Sequence, residues 1–248
     1  SELHLLDLDT LTLRPDRIAH TRACSLAWAH DASGFWYTRF PAVGEVAAGD
    51  EAYHRRVHYH RIGETTATDP CIFTPDAKEH WPSVTASECG RWLVVAVART
   101  FDATDVFLRD LHEPGECWRP VAVGLPHTFD PQVVHGRLWL RTNLDAPTYR
   151  LVVVDPEQPA QHAWREIVPA RPDAVLSSVD VTRSDGGARS TSAALSATGA
   201  GSSWSVPPDS LPSGADVASP LAASACVRAS SSRPGNSSSR SVPVYSTY

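Results

Sequence analysis

Residues 83–121 read SVTASECGRWLVVAVARTFDATDVFLRDLHEPGECWRPV. Four short runs of strand-forming residues follow one another here: Ser83-Val84-Thr85, Trp92 to Ala98, Val106 to Leu111, and Trp118 to Val121. Each is rich in Val, Trp, Phe or Leu and is bounded by Gly, Asp or Pro, the pattern of strands separated by turns. The second run is apolar at every position, so both of its faces require cover. The same four-part set occurs on either side. Upstream it is Ser25 to Trp28, Phe35 to Phe40, Val57 to Ile62 and Cys71 to Phe73. Downstream it is Gln132 to Val134, Leu138 to Thr142, Tyr149 to Val154 and Trp164 to Val168. A further set begins at Val175 to Val181 and breaks off, and Leu3 to Leu8 reads as a late strand of an earlier set.

The turn between the first two strands repeats its chemistry. It is His30-Asp31-Ala32-Ser33-Gly34, then Ser87-Glu88-Cys89-Gly90, then His135-Gly136, with glycine just before the second strand each time. A tight hairpin often needs a residue with φ > 0, which glycine supplies without a Cβ clash. The third strand ends near Gly63, Asp110 or Asp155. A period of roughly 43 to 57 residues falls in the range of propeller blades. A four-stranded sheet with two apolar faces cannot stand alone, and stacking such sheets around an axis buries both. A β-sandwich also has many short strands, but it does not predict a four-strand period with a recurring glycine turn. The fold class is therefore all-β: a partial β-propeller over 1–183, with about three complete four-stranded blades and pieces of two. A ring normally takes about four to eight blades, so this chain alone does not close one.

Composition narrows the classes of function. The chain has 248 residues and a net charge of -6, which argues against a nucleic-acid surface with its clustered Lys and Arg. Lys78 is the only lysine and methionine is absent, as expected of a GC-rich gene and of a chain that starts inside a longer one. Cys24, Cys71, Cys89, Cys117 and Cys226 are odd in number, widely spaced and without a C-x-x-C, so they read as reduced, mostly buried thiols rather than zinc ligands or a redox pair. No apolar run approaches the roughly 18 residues of a membrane span, and no signal segment opens the chain. The cytoplasm is the expected location.

Several stretches together resemble the propeller of the prolyl oligopeptidase family of serine peptidases. They are Ala27-Trp28-Ala29-His30-Asp31-Ala32-Ser33-Gly34-Phe35-Trp36-Tyr37, Val57-His58-Tyr59-His60-Arg61-Ile62-Gly63, Ser87-Glu88-Cys89-Gly90-Arg91-Trp92-Leu93, Val106-Phe107-Leu108-Arg109-Asp110-Leu111 and Thr142-Asn143-Leu144-Asp145-Ala146-Pro147. The match runs from about Leu3 to Val181 and departs at Glu64-Thr65-Thr66-Ala67-Thr68-Asp69, where the family has a Gln-containing acidic stretch. The resemblance implies a seven-bladed propeller inserted ahead of an α/β-hydrolase domain. There the propeller caps the active site and admits only short peptides, which a Ser–Asp–His triad cleaves after proline. The partners so implied are that hydrolase domain and short peptide substrates, with no nucleic acid and no membrane. The alternative is a free-standing propeller that acts as a protein-interaction scaffold.

No member of the triad can be placed on this chain. The nucleophile elbow needs G-x-S-x-G. Gly201-Ser202-Ser203-Trp204-Ser205 and Gly235-Asn236-Ser237-Ser238-Ser239 both lack the closing glycine. Catalytic, cofactor-binding and metal residues are accordingly set at none, with no cofactor. His54, His58 and His60 invite a metal reading, since His58 and His60 share a strand face, but zinc needs a third protein ligand and none is near in sequence; a structural strand is expected. Trp28, Trp36, Trp92, Trp139 and Trp164 fall at strand positions and are expected to pack between blades. Asp31, Asp110 and Asp155 sit at turns, where Asp caps backbone N–H groups.

Composition changes near Ser184. From 184 to 248 the chain is mostly Ser, Ala, Arg, Pro and Gly, with no Lys, Glu, Ile or Phe. Such a stretch offers too little apolar surface to offset its ordering entropy, and a disordered tail is expected. Two readings stand, a natural low-complexity linker and, preferred here, a reading-frame shift in a GC-rich gene: Gly201 to Ser205, if coded GGG TCG TCG TGG TCG, becomes four valines when read one base away. The sequon Asn236-Ser237-Ser238 carries no meaning in a cytosolic tail.

Overall fold

A computed structural model describes residues 1–115, 117–184, 190–198 and 226–229, with side chains described as far as Asp180. The regular secondary structure of the described residues is strand, apart from two single-turn 3-10 segments at Thr66–Thr68 and Gln161–Ala163. A two-stranded hairpin leads, formed by β1 (Glu2–Asp7) and β2 (Thr12–Ala19). The first complete sheet is β3 (Leu26–Trp28), β4 (Gly34–Arg39), β5 (Arg56–Arg61) and β6 (Cys71–Phe73). The second is β7 (Trp81–Ala86), β8 (Trp92–Ala98), β9 (Thr104–Asp110) and β10 (Arg119–Ala122). The third is β11 (Phe129–Val134), β12 (Arg137–Thr142), β13 (Arg150–Val154) and β14 (Arg165–Val168).

Strands neighbour in chain order within each complete sheet, and every pairing is antiparallel. These are the three sets of four read from the sequence, within a few residues at each end. The fifth sheet pairs β15 (Val175–Ser184) antiparallel with β16 (Ser190–Thr198), and β17 (Cys226–Ala229) joins β16 in parallel. The unordered tail expected from 184 onward thus lies for the most part outside the described residues, as do the serine stretches after Gly201 and Gly235 and the sequon at Asn236. The expected all-β partial propeller is present as an open run of sheets.

Period-two alternation explains the stacking. On β8, Trp92 and Val94 face the third sheet and join Val106, Leu108, Phe129, Val133, Leu138 and Leu140. Leu93, Val95 and Val97 face the first sheet and join Ala27, Trp36, Val57 and Val84. On β12, Leu138 and Leu140 point back to the second sheet while Trp139 points forward to Ala174, Leu176 and Val179. Each sheet therefore supplies half of two cores. Burial of one such side chain stabilises by roughly 1.5–3 kcal/mol, so the stacking of sheets, not any single sheet, holds the chain folded. The joint between the hairpin and the first sheet is the smallest, with Leu5, Ile18, Phe35 and Tyr37 as its buried members.

The turn glycines are needed for two different reasons. Gly90 and Gly136 have φ of +74° and +67°, as the hairpin argument expects. At Gly34 the expectation fails, because Ala32 takes the positive φ in that turn. Gly34 is required by close approach: a Cβ there would lie 2.2 Å from the His60 carbonyl oxygen.

Candidate functional site

The most concentrated polar chemistry lies in the joint between the hairpin and the first sheet. β5 places His58 and His60 on the face turned toward the hairpin, while Val57 and Tyr59 turn to the second sheet. His60 is completely buried. Its Nε2 lies 3.1 Å from Asp16 Oδ1, and its Nδ1 lies 3.0 Å from Asp69 Oδ1. Asp69 Oδ2 accepts the Tyr37 hydroxyl at 2.8 Å, and Asp16 Oδ1 also accepts the Gly63 N–H. Five residues from β2, β4, β5 and the loop after β5 thus meet at one point.

Both ring nitrogens of His60 are thus engaged by carboxylate oxygens. Burial alone would raise the Asp16 carboxyl, but the Gly63 N–H and then His60 outweigh it and hold the group below its ordinary 3.8. Burial, and then the bond to Asp69, push the Tyr37 phenol far above its usual value. The set has two carboxylates and an imidazole, as a catalytic relay does, yet it cannot act as one. Both ring nitrogens of His60 are held by carboxylates, so none is free to take a proton from a serine or cysteine. The cluster instead ties Asp16 of the hairpin to the first sheet. A buried set of this kind costs much to break, because removal of one partner leaves the others buried and unpaired.

Two residues along the same strand face, His58 meets the opposite environment. Its Nδ1 is buried without a partner. Burial lowers its pKa to about 4, Arg39 and Arg56 add to the fall, and the Asp69 backbone and carboxylate oppose it. His54, the third member of the suspected metal trio, lies in the loop before β5 with Nε2 3.6 Å from Asp50 Oδ2. The three are therefore separated, and among the described residues no three His, Cys, Asp or Glu side chains could hold a metal ion.

A second buried charge closes the opposite end of the strands. Arg55 is 1% exposed; its guanidinium lies 4.2 Å from the Trp81 ring centroid and 5.5 Å from that of Phe40. It donates to Thr38 Oγ1 at 2.6 Å and to the Ala23 carbonyl. Burial lowers its pKa to about 10. Arg55 thereby pins the end of β4, the link between β2 and β3, and the start of the next sheet. Sequence reasoning passed over Asp16, Asp69 and Arg55, because no spacing marks partners that only the fold brings together.

The turn aspartates cap as their positions suggest. Asp31 Oδ1 accepts from the Ser33 N–H at 3.0 Å, Asp110 Oδ1 from His112 at 2.9 Å and Asp155 Oδ1 from Glu157 at 3.1 Å. Trp36, Trp92 and Trp139 are buried between sheets, and Trp164 packs against the second of those cores. Trp28 is the exception, 51% exposed on β3.

Stacked four-stranded meanders with this alternation agree with one family over most of the chain: "Prolyl oligopeptidase, N-terminal beta-propeller domain" matches residues 1–185. The chain belongs to that family. Prolyl oligopeptidase A of Amanita bisporigera is 26% identical over 185 residues, which cover 69% of this chain and 24% of the relative. The prolyl endopeptidase of Elizabethkingia meningoseptica is 23% identical over 172 residues, covering 68% and 24%. A solved prolyl endopeptidase structure superposes with a TM-score of 0.68 at 24% identity, covering 73% of this chain and 27% of that one. Prolyl oligopeptidase B from Galerina marginata, bound to a 25mer macrocyclization substrate, superposes with a TM-score of 0.60 at 22% identity. The chain spans about a quarter of the length of these relatives and corresponds to their propeller portion.

Proposed function

We infer that this prolyl oligopeptidase propeller segment serves as the non-catalytic, substrate-gating portion of a serine peptidase that hydrolyses short peptides after proline. The observation that carries this is the agreement of residues 1–185 with the N-terminal propeller family, together with the burial of both faces of its sheets. A stacked propeller limits what reaches a neighbouring domain through its shape, with no reacting group of its own. The partners are the α/β-hydrolase domain and its short peptide substrates. A net charge of -6 goes with the absence of a nucleic-acid partner, and no helix of the described residues is long and apolar enough to cross a membrane. The cytoplasm is the location we propose. Cys71, Cys89 and Cys117 are exposed and Cys24 is half-buried, which corrects the expectation of mostly buried thiols.

The test begins with the DNA on both sides of the coding region. A hydrolase domain with G-x-S-x-G, in the same or a shifted frame, is the expected finding; further blades with no hydrolase would instead favour the scaffold alternative. The encoded hydrolase is then assayed with and without the propeller, on a proline-containing octapeptide and on a long unfolded protein. Retention of the octapeptide activity with new cleavage of the long chain on removal supports gating. Equal cleavage of the long chain by both forms overturns it. The present chain alone is expected to turn over neither substrate.

A further inference from the structure

Two guanidiniums meet at one end of the joint between the first and second complete sheets, and neither has a carboxylate. Phe40, just after β4, lies with its ring centroid 5.0 Å from the Arg22 guanidinium and 5.5 Å from that of Arg55. Trp81, the first residue of β7, stands edge-on to Phe40 at 5.6 Å and lies 4.2 Å from Arg55. Arg55 is sealed in: its Nη2 bonds Thr38 and the Ala23 carbonyl, while Nε and Nη1 are buried without an acceptor. Arg22, in the link between β2 and β3, is exposed, and Trp81, on the same phenylalanine, is 41% exposed. Burial does most to lower the Arg55 pKa, Cys24 opposes the fall and Arg22 adds to it, so the two cations feel each other. The acidic side chains of the loop between β4 and β5 are already engaged. Glu45 pairs with Arg39, Asp50 with Lys78 at 2.8 Å, and Glu51 accepts the Gly49 N–H. Two positive charges thus stand uncompensated by any ion pair among the described residues, in a chain whose net charge is -6. A buried cation without a counter-charge is costly, and an anion placed above it recovers part of that cost.

We propose that Arg22, Arg55 and Trp81 form a binding site for an acidic side chain of a short peptide. Arg22 makes the direct contact, because a guanidinium takes a carboxylate through two parallel hydrogen bonds. Trp81 offers its exposed ring to the methylenes of the bound side chain. Arg55 does not touch the ligand. Its charge, held in the interior where screening is weak, adds an attraction that an exposed arginine alone lacks. The amide of equal shape gains nothing from either charge, so the site separates glutamate from glutamine. All its members belong to the described residues, at the ends of strands whose Trp36 and Val57 pack on the second sheet. The site stands whether or not the propeller gates a peptidase, since binding to this chain requires no hydrolase.

The probes are a terminally blocked tetrapeptide with one glutamate and its glutamine counterpart, titrated into this chain by calorimetry at low salt. The glutamate peptide is expected to bind about tenfold or more tightly, and the difference should shrink as salt is added. Arg22→Gln should abolish the difference, while Arg22→Lys, which keeps the charge and loses the planar fork, should retain part of it. Amide exchange in β8 serves as the reference for an intact fold and should be the same in parent and variants. The indole N–H resonance of Trp81, assigned with Trp81→Phe, should shift with the glutamate peptide and stay in place with the glutamine one. Equal affinity for the two peptides overturns the proposal, as does a glutamate preference that survives Arg22→Gln. Absence of saturable binding of the glutamate peptide overturns it as well.

Discussion

His58 should make the folded chain sensitive to mild acid in a way that one substitution removes. The ring is 5% exposed, has an unpartnered Nδ1, and shares its surroundings with Arg39 and Arg56. Its pKa falls from an ordinary 6.5 to about 4 on folding. A depressed histidine behaves as a depressed carboxylate does. Its contribution to stability is complete above 6.5, where both states are neutral, and is lost as pH falls toward the folded value, since the unfolded chain binds the proton first. With these two values, the linkage relation removes about 2 kcal/mol between about pH 8 and about pH 5. Asp16 is held below 3.8 and stays ionised across that window, so it does not confound the measurement. Urea unfolding at the two pH values should show a midpoint about 1 M lower at the acid end, for a denaturant slope of about 2 kcal/mol per molar. His58→Gln and His58→Phe remain neutral throughout, and the other histidines are common to all three proteins. The variants should therefore lose about 2 kcal/mol less than the parent over this range. Parallel pH profiles for parent and both variants would refute the assignment of the charge penalty to His58.

Asp16→Ala should cost about 3–5 kcal/mol by stranding His60, and hydrogen exchange should show the loss in β1 and β2 before β8 or β12. Gly90→Ala should destabilise more than Gly63→Ala. Both sites have positive φ, but a Cβ at Gly90 would lie 2.7 Å from His30 Cβ on the neighbouring turn, whereas Gly63 has open space. Strain alone is worth about 1 kcal/mol and the clash adds to it, so thermal melts of the two variants should separate clearly. Trp139→Ala should cost about 3–5 kcal/mol, while Trp28→Ala should cost about 1 kcal/mol or less in the same denaturation assay, because the second ring already faces solvent.

The twelve strands of the complete sheets were legible because each carries its own signal: an apolar run, a turn and, before the second strand, a glycine. β2 was not legible. Thr12 to Ala19 includes Arg14, Pro15, Asp16 and Arg17, and only Asp16 and Ile18 turn inward. An edge strand with one buried carboxylate among exposed polar residues leaves no alternation to find. The role of His60 was hidden for a related reason. Its partners Asp16 and Asp69 lie 44 and 9 residues away, and their meeting depends on how the hairpin docks rather than on any local spacing. Gly34 was recognised as necessary for a cause that belongs to its neighbours, since the backbone of β5 passes where its side chain would be. The expectation for Trp28 assumed that every strand-borne tryptophan has a sheet on each side, which fails at the first sheet.

The strand chemistry also fits the proposed role, in which the propeller contributes shape rather than reacting groups. From Trp92 to Val97 every side chain of β8 is buried, alternating between two cores. A strand in that position has no side chain left over for a ligand. Polar groups that do enter the interior are consumed in joining elements, as His60 is by Asp16 and Asp69 and Arg55 is by Thr38 and the two aromatic rings. Freedom to vary remains in the loops at the two ends of the strands, where Arg91 spans from Asp110 on its own sheet to Glu157 on the next at 2.9 Å. On the gating role proposed above, selection falls to the number of sheets and the loops at their ends. Substitutions within β8 or β12 should change stability first, and substitutions in the end loops should change selectivity first.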